Sequence, residues 1–177
     1  AEYNVGGEKI VVVSYSFHQE SYYEGKPLYS YRNKEQQSLF IEEIGRIRRQ
    51  SEGVLVCSIH WGAEFVTQPS PEQIKFARQI VDAGVNIILG HHPHVVQGVE
   101  LYNGSLICYS LGNFLFDLWD EETKKTVIAK IEIDSDRKIS YELIPVYIKN
   151  DFKLVEMKGT ERVNYLQEIS KRSKDID

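Results

Sequence analysis

Of the five histidines in this chain of 177 residues, three fall within four positions, in GHHPH at 90–94. A fourth, His60, ends the apolar run GVLVCSIH at 53–60. Imidazole is a good ligand for Zn, Fe, Mn and similar ions, with Zn–N distances of about 2.0–2.1 Å. In an extended segment His92 and His94 would point to opposite faces. Pro93 breaks that alternation, so the pair can reach two different ions, or an ion and a phosphate. The blander reading of the same residues is a polar loop at a strand end, and His18, the fifth histidine, is read as a loop residue without a ligand role.

What turns scattered histidines into a site is the pattern of elements around them. KIVVVSYS (9–16) reads as a central strand, and KEQQSLFIEEIGRIRRQ (34–50) as an amphipathic helix with Phe40, Ile44 and Ile47 on one face. The segment between them is rich in tyrosine and reads as a long loop over a cleft. GVLVCSIH is a second buried strand. SPEQIKFARQIVDAG then carries a full set of helix signals: Ser70 as N-cap, Pro71 in the first turn, Gln73 completing a capping box and Gly84 past the end. Its inner face is read as Ile74, Ala77, Ile80 and Val81. VNIILG (85–90) is a third strand, so 53–90 is a β-α-β unit with a right-handed crossover. His60 and the GHHPH histidines therefore stand at the carboxyl ends of parallel strands, about 5 Å apart if those strands are neighbours and about 10 Å if one intervenes. Open α/β sheets bind ligands at that edge.

Beyond the histidines the period changes. Asn103-Gly104 marks a hairpin, two alternating strands flank a turn at Asp134–Lys138, and TERVNYLQEISKRSK (160–174) is a helix. The fold class is α/β, a parallel β-α-β layer followed by an antiparallel layer, within a single domain over 1–177.

Composition narrows the function. The net charge is -5, and Arg46, Arg48 and Arg49 lie beside Glu42 and Glu43 as a solvated helix face, so no nucleic-acid partner is expected. Residues 60–118 hold two basic and five acidic residues but four of the five histidines, a pattern of interior and site rather than surface. Cys57 and Cys108 both sit in apolar runs and read as buried, reduced thiols, which leans towards a reducing compartment.

The stretch 60–117, with HWG-x-E, GHHPH and YSLGNF-x-FD, resembles the core of the CapA capsule-synthesis family, also called PGA_cap. That family is associated with bacterial poly-γ-glutamate capsule and is related to calcineurin-like metallophosphoesterases. The resemblance implies part of a four-layer αββα sandwich with two divalent transition metals (Mn, Fe or Zn) at strand ends. By motif, His60 and His92 would bind the second metal and His94 the first. His91 stands where relatives often have Gly; it is a candidate phosphate contact or proton donor, and equally a structural residue. Glu64 is read as a carboxylate orienting His60, or as an exposed loop acid. Asn113 is a turn cap and a weaker candidate for substrate binding, and Asp117 is similar. The substrate implied is anionic or phosphorylated, and the family association points to one related to poly-γ-glutamate. The resemblance also implies membrane association, against the lean of the cysteines.

One departure matters. The D-x-H, second Asp and Asn-His elements that come early in such phosphoesterases have no counterpart here, and Phe114 in LGNFLFD cannot ligate a metal. The expectation is that this chain is the carboxyl-terminal part of a larger domain. The dimetal site would then be half built, and a sheet edge would need cover from the missing half or a second copy. Two rival classes remain. HPHVVQ is similar to the H-P-H-x-Q element of histidine-triad nucleotidyl transferases, although Gln97 is one residue late. A non-enzymatic assembly or export component would use the same cleft only to bind polymer.

Overall fold

The computed structural model describes residues 1–16, 34–117 and 120–176. Its elements are β1 (Glu2–Val5), β2 (Glu8–Ser16), α1 (Lys34–Gln50), β3 (Val54–His60), α2 (Pro71–Asp82), β4 (Ile87–His91), β5 (Val99–Tyr102), β6 (Ser105–Cys108), β7 (Lys125–Ile133), β8 (Ile139–Ile148), β9 (Leu154–Glu156) and α3 (Gly159–Lys174). The short strands β1 and β9 have no sequence signal and form only by pairing with β2 and β8. His18 and the expected loop, beyond Tyr15 and Ser16 at the end of β2, lie outside the described residues.

Six strands make one sheet in the order β1-β2-β3-β4-β6-β5. Strands β2, β3, β4 and β6 run parallel, and β1 and β5 close the two edges antiparallel. Thus β3 and β4 are direct neighbours, the closer of the two expected arrangements. Register places Ser16, His60 and His91 in one row at the carboxyl edge.

Alternation along the parallel strands divides the core. Leu55, Cys57, Ile59, Ile88, Ile107 and Tyr109 face α1 and α2, where Phe40, Ile44, Phe76, Ala77 and Ile80 complete the packing. Val54, Ile87, Leu106 and Cys108 face the other way, onto Ile139, Ala129, Ile131 and Leu143 of the antiparallel sheet β7-β8-β9. Helices, mixed sheet and antiparallel sheet form three successive layers. Ile128, Lys130 and Glu132 on the outer face of β7 are exposed. The last helix, α3, packs against β5 and β8.

Local details follow from chemistry. Ser70 Oγ accepts from the Gln73 backbone N–H at 3.2 Å, and Pro71 occupies the first turn. The reciprocal half of the capping box is absent, because the Gln73 side chain turns inward to Gln97 instead. The inner face of α2 includes Phe76, 1% exposed, while Ile74 sits at its margin. This corrects the expected stripe: α1 packs beside α2 through Phe40 against Phe76 and widens the buried face. Arg48 is also no part of a solvated face. It donates to the carbonyls of Gly53 and Ser51, and its stem covers Gly84, so it fastens the end of α1 to neighbouring loops. Cys57 and Cys108 are free and buried, and burial pushes both thiols up to about 12.

Candidate metal site

Three sequence motifs interlock at the carboxyl edge of the sheet. Trp61 is fully buried; its indole N–H donates to the Tyr109 carbonyl at 2.9 Å, and its ring stacks on that of Tyr109. Gly90 passes beneath this pair. A Cβ there would lie 2.0 Å from the Tyr109 oxygen and 2.6 Å from the Trp61 indole nitrogen. The glycine before the histidines is therefore a packing requirement set by HWG on one side and YSLGN on the other.

Past Gly90 the chain leaves the strand in an uncommon conformation. His92 has φ 100° and His94 φ 60°, and across the cleft Phe65 has φ 62°. Each such residue costs on the order of 1–3 kcal/mol, and surrounding structure must hold it in place. Here the hold is a series of bonded carbonyls. Gly90 O accepts from Leu111 N (3.1 Å), His91 O from Trp61 N (3.0 Å) and Pro93 O from Phe65 N (2.8 Å). His94 O accepts from the Asn113 amide at 3.3 Å, and Val96 O accepts from Arg172 at 2.6 Å.

The positive φ at His92 turns its ring back onto His60, with centroids 4.5 Å apart; His94 follows, 6.0 Å from His92. His92 is 8% exposed. Ligand-capable atoms of His92, His94 and Glu64 lie within 4.8 Å of one another. Two ligands on one ion at 2.0–2.1 Å are at most about 4 Å apart, so the three donors fit a divalent cation after a small closure. Two imidazoles and a carboxylate are the donor chemistry of Zn, Mn or Fe sites. The Glu64 carboxylate reaches His94, 4.0 Å from Nε2, so its neighbour is that ring. Phe65 and Phe116 lie beside His94, with centroids 5.9 and 4.9 Å away.

Asn113 sets the His94 ring. Its Nδ2 donates to the carbonyls of Thr123 (3.0 Å) and His94 (3.3 Å), which leaves Oδ1 as the acceptor facing His94 Nδ1 at 2.8 Å. His94 Nδ1 must then carry the proton, and Nε2 presents its lone pair to the cleft beside Glu64. Asn113, which the sequence offers as a turn cap or substrate contact, is buried and committed to this histidine and to Thr123. His91 pairs with His60 in register, and burial lowers its pKa. Asp117 lines a small cavity with Phe116, Lys124 and Ile148. Gln97, which the sequence offers only as the late glutamine of a histidine-triad element, is 1% exposed. Its amide donates to Val66 O at 2.8 Å and accepts from Gln73 at 3.4 Å, bracing the loop that carries Glu64 and Phe65.

The architecture is a layered α/β fold with one mixed and one antiparallel sheet. A candidate 5'-nucleotidase from Staphylococcus aureus, solved with alpha-ketoglutarate, superposes with TM-score 0.50 at 12% identity, over 97% of this chain and 33% of that one. The model of the bacterial capsule synthesis protein family PGA_cap matches residues 1–118, and the chain belongs to that family. It is 38% identical over 110 residues to the PGA biosynthesis protein CapA of Bacillus subtilis, covering 62% of this chain and 29% of that protein. It is 34% identical over 114 residues to the capsule biosynthesis protein CapA of Bacillus anthracis, covering 63% of this chain and 28% of the relative. The chain thus spans less than a third of the length of these relatives.

Proposed function

We propose that this chain supplies one half of a divalent-metal phosphoesterase site that acts on an anionic, phosphorylated intermediate of capsule polymer synthesis. The observation that carries the reading is the convergence of His92, His94 and Glu64, with His60 behind them, at the carboxyl edge of a parallel sheet. His92, His94 and Glu64 would hold one ion, and His60 would contribute to a second. Bound divalent ions supply Lewis-acid stabilisation of phosphoryl oxygens and a metal-activated water. The chain's own residues do the rest. Asn113 keeps the His94 lone pair directed into the cleft, Gln97 braces the Glu64 loop, and His91, whose pKa is lowered by burial, stands in register beside His60.

Four donors and no bridging carboxylate among the described residues are too few for two ions. Residues beyond this sequence complete the site in this reading, consistent with the greater length of the relatives. The exposed edge strand β1 supports cover by that same missing part or by a second copy. The test is metal analysis of the full-length protein together with hydrolysis of p-nitrophenyl phosphate, with and without His92→Ala. Bound divalent metal, and a rate that falls at least about 100-fold in the variant, are expected. A metal-free wild type, or turnover indifferent to a strong chelator, overturns the reading.

A second reading is favoured by one feature. Phe65, Phe114, Leu115 and Phe116 form an exposed apolar rim beside the histidines, which suits holding a polymer or partner without turnover. Metal-free protein that still supports capsule assembly selects this reading.

A further inference from the structure

Resting on the site reading above, we propose that Arg172, on the C-terminal helix and outside the residues matched by the family model, is a positioning residue for His94. The guanidinium is largely buried and spans two structures at once. Nη1 donates to the carbonyl of Val96, two residues past His94, at 2.6 Å. Nη2 pairs with the Glu122 carboxylate at 2.6 Å. Arg172 therefore grips the histidine loop directly and the 120–123 turn through Glu122.

The second arm leads back to the same ring. The Glu122 backbone N–H donates to Asp120 Oδ1 at 2.9 Å, and both the backbone N–H and the hydroxyl of Thr123 donate to Asp120 O, at 3.1 and 2.7 Å. That turn fixes the Thr123 carbonyl, which receives Asn113 Nδ2, and Asn113 Oδ1 in turn accepts from His94 Nδ1. Glu122 also holds Lys125 at 3.2 Å. Gly112, immediately before Asn113, lies between Val96 on one arm and Lys125 and Thr126 on the other. The two arms thus converge on the segment that sets the His94 tautomer. An Arg fork can serve both acceptors in fixed geometry, and a Lys point charge cannot.

The readouts are the His94 ring tautomer, from long-range proton–nitrogen-15 correlation on metal-free full-length protein, and the affinity for Co(II). Wild type is expected to show His94 protonated at Nδ1. Arg172→Ala is expected to mix the two tautomers and weaken Co(II) binding about tenfold, the scale of lost support around a metal ligand. Arg172→Lys is expected to fall between. Ser173→Ala is the control: it removes the bond that Ser173 Oγ accepts from Val99 N at 2.9 Å on the same helix, but touches neither arm. It should leave both readouts at wild-type values. If Arg172→Ala does not fold, Glu122→Gln breaks the second arm alone and decides by the same two readouts. An unchanged His94 tautomer in Arg172→Ala, or an equal loss in Ser173→Ala, overturns the assignment. Should wild type bind no Co(II), the site reading fails, and the tautomer comparison still decides the role of Arg172.

Discussion

Asn113 Oδ1 lies 2.8 Å from His94 Nδ1, and the Asn113 nitrogen is committed to two carbonyls, so this one pair determines which imidazole nitrogen faces the cleft. Asn113→Ala removes the acceptor and releases the ring. The expected outcome is a loss of divalent-metal affinity between about 10- and 100-fold. Isothermal titration with Zn(II) on the full-length protein reads it, and an affinity within twofold of wild type removes Asn113 from the site.

Gly90 and Gly104 make a matched pair of tests. A Cβ at Gly90 meets the Tyr109 carbonyl at 2.0 Å, and that backbone cannot retreat without breaking the Trp61 bond. At Gly104, φ is 79° but the space is open. Gly90→Ala is expected to cost about 3 kcal/mol, and Gly104→Ala about 1 kcal/mol of left-handed strain. Urea midpoints compare them, and equal costs would mean that the Trp61–Tyr109 clamp yields easily.

The histidine edge was readable from sequence because a β-α-β crossover has one hand and one polarity. Once strands at 53–60 and 85–90 were recognised, His60 and His91 had to end at the same edge, and their pairing in register follows. The cap at Ser70 and the hairpin at Asn103-Gly104 are local chemistry and were equally legible. The side-chain geometry of the site was not. The turn of His92 onto His60 depends on φ 100°, and the approach of Glu64 to His94 depends on positive φ at Gly62 and Phe65. No hydrophobic period encodes such angles; they are imposed by carbonyl bonds from Trp61, Leu111, Asn113 and Arg172, distant in sequence. Phe76 escaped the helix reading for a similar reason, since its burial depends on Phe40 of another helix.

The buried thiols give a pH dependence with a defined sign. An unfolded thiol titrates near about 8.5, whereas burial pushes Cys57 and Cys108 up to about 12. The native state keeps protons that the unfolded state releases. This contribution is therefore fully present below about pH 8.5 and is lost as pH rises towards about 12, at up to about 1.4 kcal/mol per unit per thiol. Stability measured by denaturant at pH 8 and pH 10 should fall, with a shallower fall in Cys57→Ala. Ellman's reagent at pH 8 should leave both cysteines untouched until the chain is unfolded.

Gln97 and Ser70 separate support of the site from support of the fold. Gln97→Leu strands the Val66 carbonyl and the Gln73 amide, at a cost of about 1–3 kcal/mol, and loosens the loop that carries Glu64. Ser70→Ala removes the helix cap for about 1 kcal/mol and leaves that loop braced. Zn(II) affinity should fall in the first and hold in the second. A parallel loss in both would make Gln97 an ordinary stability residue.

Stoichiometry tests the half-site directly. His92, His94 and Glu64 give one ion three donors, and His60, beside His92, leaves a second ion with one imidazole and, among the described residues, no carboxylate shared between ions. Two cations a few ångströms apart repel strongly unless an anionic ligand lies between them. The 177-residue chain should therefore bind a single divalent ion, and that binding should be lost in Glu64→Gln combined with His94→Ala. Full-length protein should bind two. Titration of both proteins with Co(II), read by calorimetry and by visible absorption, distinguishes the cases. Two tight sites in the 177-residue chain, with turnover of a phosphate ester, would show that the residues already present suffice.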